Sequence, residues 1–266
     1  MTTTPAQPDA TGDLTVTPTT PFGAEITGTD LSELGPTPRA ELRALLADHQ
    51  VLFRRDAHLT ADGQLALAES LGISLSFASV ADPDAGVAPI HTVRGSTVGW
   101  HIDASTKLEP PVATVLRAVT VPEVGGDTLW ASGVAAYAAL PATLQETIND
   151  RYVTHGGARA SDDGRPPPLV AHPLVQTHPD TGEPYLYINF AAWANPQIIG
   201  LSEPDSAELV ETLRNIYLHP DRILRFRWTP GAIAIWDNRV VQHTGTHDYD
   251  DHPRQMTRAC IARFHP

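Results

Sequence analysis

The 266 residues suit one large domain able to bury its own core, and a single cysteine excludes both an internal disulfide and a cysteine-rich metal cluster. With 31 acidic against 18 basic residues the formal net charge is −13, which repels phosphate backbones and anionic membranes, so neither nucleic acid nor a membrane is an expected partner. No run approaches the roughly 18 apolar residues of a membrane span, and the first residues lack the basic and apolar stretches of a secretory signal, so a cytoplasmic location is expected.

In chain order, residues 1–20 are rich in Thr, Pro and Asp and read as a flexible tail, with 21–266 as a single domain. A short strand and turn follow at 22–31, punctuated by Gly23 and Gly28. A helix is predicted over 38–49, with Thr37 as N-cap, Pro38 in the first position and Leu42, Leu45 and Leu46 on its apolar face. Residues 50–54 read as a short buried strand. Thr60 caps a second helix that buries Leu65, Leu67, Ala68 and Leu71 and ends at Gly72. Residues 73–99 show no period and read as a long loop, a lid just ahead of the chemical site.

Beyond Trp100 the predicted strands are 112–119, 127–130, 185–189, 223–228, 232–236 and 256–264. Helices near 141–149 and 205–218 interrupt them, and Pro166-Pro167-Pro168 marks an insertion. Cys260, in the apolar run Ala259-Cys260-Ile261-Ala262, reads as a small buried hydrophobe. Many short strands with Pro and Gly turns, and few helices, predict a mainly β sandwich or barrel with flanking helices.

Trp100-His101-Ile102-Asp103 sets an imidazole and a carboxylate two apart, on one face of an extended segment. Alone the pair also fits a surface hydrogen bond. A third neutral imidazole would complete two histidines and one carboxylate, a facial set with open positions that suits iron(II). His243 is placed to supply it: residues 231–236 form a buried strand, Asp237-Asn238 signals a turn, and Val240-Val241-Gln242-His243 returns. In the last strand, period two puts Arg254, Met256, Arg258 and Cys260 on one inward face. Inward arginines need an anion, which either acidic side chains of the protein or a dicarboxylate ligand could supply.

The chain resembles the taurine dioxygenase and 2,4-D dioxygenase (TauD/TfdA) family of 2-oxoglutarate oxygenases over roughly residues 20–264. The resemblance is carried by Trp100-His101-Ile102-Asp103, Gly125-Gly126-Asp127-Thr128-Leu129-Trp130, Trp236-Asp237-Asn238-Arg239 with Gln242-His243, Asp248-Tyr249 and residues 254–258. His172-Pro173-Leu174-Val175 with Thr177-His178-Pro179 also matches. It implies a double-stranded β-helix, or jelly roll, with His101, Asp103 and His243 as ligands of Fe(2+). It further implies that Thr128 and Arg254 hold the distal carboxylate of 2-oxoglutarate. Arg258 would meet a second anion, either the co-substrate's inner carboxylate or the substrate's acid group.

The implied reaction consumes O2, releases succinate and CO2, and hydroxylates or otherwise oxidises a small, anionic organic substrate, with secondary metabolism as one setting. Asp103 argues against halogenation, because related halogenases leave the carboxylate position open for chloride. Family members are often dimers or tetramers, so a homo-oligomer is expected.

Two rivals from other classes are a non-catalytic jelly-roll binding protein, which would lack a ligand, and a zinc hydrolase, which has no use for Thr128, Arg254 and Arg258. A taurine or other sulfonate catabolic dioxygenase is the alternative within the family. Leu75-Ser76-Phe77-Ala78-Ser79 lacks the histidine that helps taurine-oxidising members hold the sulfonate. Phe77, His91, Asn189, Phe190 and Arg258 are the candidate substrate contacts, and Tyr185 and Tyr187 could line the same pocket. Trp100 and Trp130 are expected near the metal, and His247 is a weak further ligand candidate because Thr244-Gly245-Thr246 is poor helix sequence. His49, His58, His155 and His219 read as surface or structural residues.

Overall fold

A computed structural model describes residues 14–32, 34–75, 88–91, 99–156, 169–249 and 252–265, with the backbone alone for 88–91. The chain opens with the antiparallel pair β1 (Thr15–Pro18) and β2 (Ala24–Thr27). Helix α1 (Pro36–His49) leads into β3 (Val51–Arg54), which runs parallel to β2. Helix α2 (Ala61–Leu71) continues directly into β4 (Gly72–Leu75), and β5 is Ala88–His91. Then come β6 (Ala113–Thr120), β7 (Thr128–Ser132), α3 (Gly133–Ala138), α4 (Ala142–Ile148), β8 (Tyr152–Gly156) and β9 (Leu169–Pro173). A hairpin of β10 (Val175–Thr177) and β11 (Pro184–Leu186), the short β12 (Gln197–Ile198) and α5 (Glu203–Tyr217) precede the last strands. Those are β13 (Ile223–Phe226), β14 (Ile233–Asp237), β15 (Val241–Gly245) and β16 (Gln255–Phe264).

The main sheet has the order β1-β2-β3-β14-β6-β16-β4, with β5 also paired to β16. The sheet β13-β7-β15 lies across the interior, completing the jelly roll. Strand β14 shows why its apolar run is continuous. Ile233 and Ile235 join the core beneath α1 and α2, whereas Ala234 and Trp236 join the core between the sheets. A central strand buried on both faces needs apolar residues on both. The inner core is aromatic, with Phe53 stacked on Phe226 and Trp130 edge-on to Trp236. A third core gathers α3, α4 and α5 around Leu186, Ile188 and Phe190.

Several boundaries differ from the sequence reading. Strand β1 lies inside the stretch read as a tail, because pairing with β2 satisfies its backbone where composition suggested nothing ordered. Helix α1 begins at Pro36, flanked by Gly35 and without a side-chain cap, so Thr37 is inside the helix. Pro36 needs no hydrogen-bond acceptor at the first turn and starts the helix by its fixed φ. The second helix is capped as expected, with Thr60 accepting from the Gly63 N–H at 3.0 Å. It buries Gln64 with Leu67, Ala68 and Leu71 while Leu65 is only partly buried, because the Gln64 amide donates to the Val115 and Thr257 carbonyls. The stretch 73–99 is not wholly loop, since β4 and β5 both pair with β16. Residues 76–87 and 92–98, which hold Phe77 and most of the stretch read as a lid, and the insertion around Pro166 lie outside the described residues. Among the described residues, no helix is long and apolar enough to cross a membrane.

Candidate metal centre

His101 and His243 form an isolated antiparallel bridge: each backbone N–H donates to the other residue's carbonyl, at 3.0 and 2.9 Å. Directly opposed residues project to the same side, and the two rings lie with centroids 4.1 Å apart. Asp103, in the turn that follows, brings Oδ1 to 3.7 Å from His101 Nε2 and 3.9 Å from His243 Nε2. The donor set lies within 4.8 Å and is the only such group among the described residues.

Those distances fit one divalent ion. Two donors each about 2.1 Å from the same centre cannot be more than about 4.2 Å apart. The imidazole states fit as well. His101 Nδ1 lies 2.9 Å from the Gly99 carbonyl, which can only accept, so the proton sits on Nδ1 and the Nε2 lone pair faces the centre. Burial first, then the nearby His101, hold His243 well below the ordinary histidine range, in the neutral form a metal requires. Burial opposes the charge on Asp103, yet Arg258, His243 and His101 outweigh it and hold the carboxyl far below its usual range.

The carboxylate is held from several sides. Thr114 Oγ1 donates to Asp103 Oδ2 at 3.0 Å. The Asn238 side chain accepts from the Asp103 N–H at 2.9 Å and donates to the Asp103 and Pro111 carbonyls at 3.1 and 2.9 Å. Asp237, next in the same turn, is buried against His178 Nε2 at 3.0 Å and the Arg239 guanidinium. Arg258 Nη1 donates to Asp103 Oδ1 at 2.5 Å, so one anion facing this arginine in the structure is the Asp103 carboxylate.

A second cluster lies beside the first. Gly125 and Gly126 take positive φ values of 78° and 69°, and Asp248 Oδ1 accepts from the Gly126 N–H at 3.0 Å. This tight turn presents the Gly126 carbonyl to Arg254 Nε at 2.8 Å. Thr128 Oγ1 accepts from Trp228 Nε1 at 2.9 Å and from Arg254 Nη2 at 3.4 Å. Burial presses the Arg254 guanidinium below its ordinary value, as expected of a cation drawn from water.

Other sequence candidates fall elsewhere. Asn189 is fully buried, donates to the Ile102 carbonyl and to Ser105 Oγ, and accepts from the Ala191 N–H. Both ends of its amide are used within the protein, so it braces the segment that carries His101 and Asp103. Phe190 packs edge-on against Tyr217 at 5.6 Å and lies under the Arg214 guanidinium, a core position against α5. Tyr185 and Tyr187 are buried in the aromatic core. His91 lies on β5 opposite Gln255 in backbone register. His247 is exposed and stacks near Tyr249, beyond the end of β15, so it does not join the triad. Trp130 sits directly across from His243, whereas Trp100 packs against the third core.

Three residues at the site escaped the sequence reading. Thr114 carried a faint signal, a polar residue on the inward side of an apolar strand. Trp228 carried none, since its partner Thr128 is distant in the chain. Trp193, whose ring lies 6.4 Å from His101, comes from an irregular segment with no period to read.

The jelly roll and its two-histidine, one-carboxylate centre define the class of 2-oxoglutarate-dependent non-haem iron oxygenases. The family described as "Taurine catabolism dioxygenase TauD, TfdA family" matches residues 15–260. An alpha-ketoglutarate-dependent sulfate ester dioxygenase of Pseudomonas putida is 32% identical, with 91% of this chain and 86% of that protein aligned. An (S)-phenoxypropionate/alpha-ketoglutarate dioxygenase of Sphingobium herbicidovorans is 31% identical over 85% of this chain and 86% of that protein. A putative alpha-ketoglutarate-dependent taurine dioxygenase from Burkholderia xenovorans, solved by crystallography, superimposes with a TM-score of 0.84 at 34% identity, covering 94% of this chain and 92% of that one. The chain belongs to the TauD/TfdA family and is a dioxygenase of small organic substrates that uses iron(II), 2-oxoglutarate and O2.

Proposed function

We propose that His101, Asp103 and His243 hold the iron, and that the chain oxidises a small organic anion beside it. The observation that carries the reading is the approach of both histidine Nε2 atoms to Asp103 Oδ1. Bound iron supplies the oxygen activation that couples substrate oxidation to conversion of 2-oxoglutarate into succinate and CO2. The protein's part is binding and orientation. Arg254, steadied by the Gly126 carbonyl and the Thr128 hydroxyl, offers a fixed fork to the distal carboxylate of 2-oxoglutarate. Arg258, the cation touching the triad, meets a second anion, the co-substrate's inner carboxylate or the acid group of the substrate. Relatives named for a sulfate ester and for phenoxypropionate support an anionic substrate. We further propose a cytoplasmic homo-oligomer, the oligomer supported by membership of a family whose members are often dimers or tetramers.

The test is succinate formation with alkyl sulfates, alkyl sulfonates and aryloxy carboxylates, each with iron(II), 2-oxoglutarate and O2. At least one anion should accelerate succinate release in proportion to its own consumption, and His101→Ala or His243→Ala should abolish this while the circular dichroism spectrum is retained. Full activity in either variant would remove that histidine from the centre.

A further inference from the structure

We propose that Thr114, backed by Asn238, is a positioning residue that decides which oxygen of Asp103 faces the metal. The inference rests on the reading that His101, Asp103 and His243 hold the iron.

A carboxylate can bind a cation through either oxygen or through both, and rotation about its last bond exchanges them. In this chain the two oxygens are not equivalent. Oδ1 is the atom near both imidazoles and also accepts from Arg258 Nη1, whereas Oδ2 accepts from the Thr114 hydroxyl at 3.0 Å. An ionised carboxylate only accepts, so the hydroxyl must be the donor, and its proton points at Oδ2. The hydroxyl oxygen then has lone pairs left to accept from the Cys260 thiol, 3.5 Å away. Cys260, Thr114 and Asp103 thus form a directed chain ending on the oxygen turned from the centre.

The hydroxyl itself is well placed. Thr114 is fully buried on β6, between Trp236 of β14 and Cys260 of β16 in register. Asn238 removes the other freedom, that of the main chain. It bonds both the N–H and the carbonyl of Asp103, and its own N–H donates to the Val112 carbonyl, at the entry to β6. The ligand's backbone and its outer oxygen are therefore tied to the same end of the same sheet. The arrangement favours one-point attachment through Oδ1, which keeps positions open for the co-substrate and O2.

The test titrates Mn(II) into the metal-free full chain, reading free Mn(II) by electron paramagnetic resonance. Thr114→Val keeps the shape and the strand propensity but leaves Oδ2 without its donor. It should weaken Mn(II) binding about 10- to 100-fold, as expected for a partner of a metal ligand. Thr114→Ser restores the hydroxyl and should bind near the wild-type level. Asn238→Ala should weaken binding as well. Wild-type affinity in Thr114→Val would overturn the proposal, and so would Thr114→Ser binding as poorly as Thr114→Val. If the Val variant and a Thr114→Ala variant both fail to fold while the Ser variant folds, the hydroxyl serves the fold, and the proposal is again overturned. His243→Ala is the control: Mn(II) binding equal to wild type in that variant would sink the metal reading itself.

Discussion

A guanidinium pressed below its ordinary value by burial gains most from an anionic partner, and Arg254 is such a group beside the metal centre. Its Nε is held by the Gly126 carbonyl and one terminal nitrogen leans on Thr128, so the fork is aimed before any ligand arrives. Losing one member of a desolvated charge pair costs roughly 2–5 kcal/mol, about 30- to several-thousand-fold in affinity. Arg254→Ala should raise the concentration of 2-oxoglutarate needed for half-maximal succinate release by a factor in that range. An unchanged requirement would transfer the role to Arg258. Residues such as Arg254, His101 and Asp103 were legible in the sequence because period two in extended chain places alternate side chains together. Thr114 and Trp228 were not, because a hydrogen bond between elements far apart in the chain has no local signature. Asn189 had a second role with no local signature either: its amide braces the Ile102 and Ser105 segment.

At the scale of elements, the long apolar strands were readable and the short ones were not. Strand β14 advertises itself by an unbroken apolar run buried on two faces, whereas β8, β9 and β10 mix polar and apolar residues and owe their pairing to tertiary neighbours. The turn ahead of β7 was legible as a motif, and the structure supplies its reason. At Gly125, φ is 78°, and a Cβ there would lie 2.3 Å from the Asp248 carbonyl oxygen. Only glycine both adopts the left-handed backbone and admits that approach. Gly125→Ala must accept a strained backbone, worth roughly 1–2 kcal/mol before the contact is counted. It must also move the Gly126 carbonyl that holds Arg254. The variant should melt several degrees lower, on the scale of about 2–4 °C per kcal/mol for a chain of this size. It should also need more 2-oxoglutarate, with Mn(II) affinity little changed. An equal loss of Mn(II) affinity would mean that the turn supports the triad as well.

At the scale of the whole molecule, the interior carries ionisable groups whose protonation couples folding to pH. Behind the metal segment lies a buried cluster of His155, His172 and Tyr187, with ring centroids 5.1 to 5.6 Å apart. Burial first, then the neighbouring His172, push His155 down to about 3, and burial lowers His172 as well. An unfolded chain would take up these protons near pH ~6.5. Above that pH both states are neutral and the cluster contributes no pH dependence. As pH falls below it, the unfolded state gains protons that the folded state refuses, so stability falls until about pH 3, where folded His155 also titrates. By pH 5, His155 alone removes roughly 2 kcal/mol, a sizeable part of a typical folding free energy. Asp237 acts later. Arg239 and His178 lower its carboxyl against the opposing effect of burial, so its contribution is present above the ordinary carboxylate range and is lost only as pH drops through and below it. Acid also relieves the self-repulsion of a chain carrying −13, which opposes both losses. A difference between variants separates these effects. In His155→Gln a side-chain oxygen can still accept the Asn189 N–H that His155 Nε2 accepts now, but nothing titrates there. With a chelator present in both samples, the melting temperature of the variant should fall less steeply between pH 6.5 and 4.5 than that of the wild type, and the curves should run parallel above pH 7. Parallel curves over the whole range would show that His155 is not the buried group that makes the fold acid-sensitive.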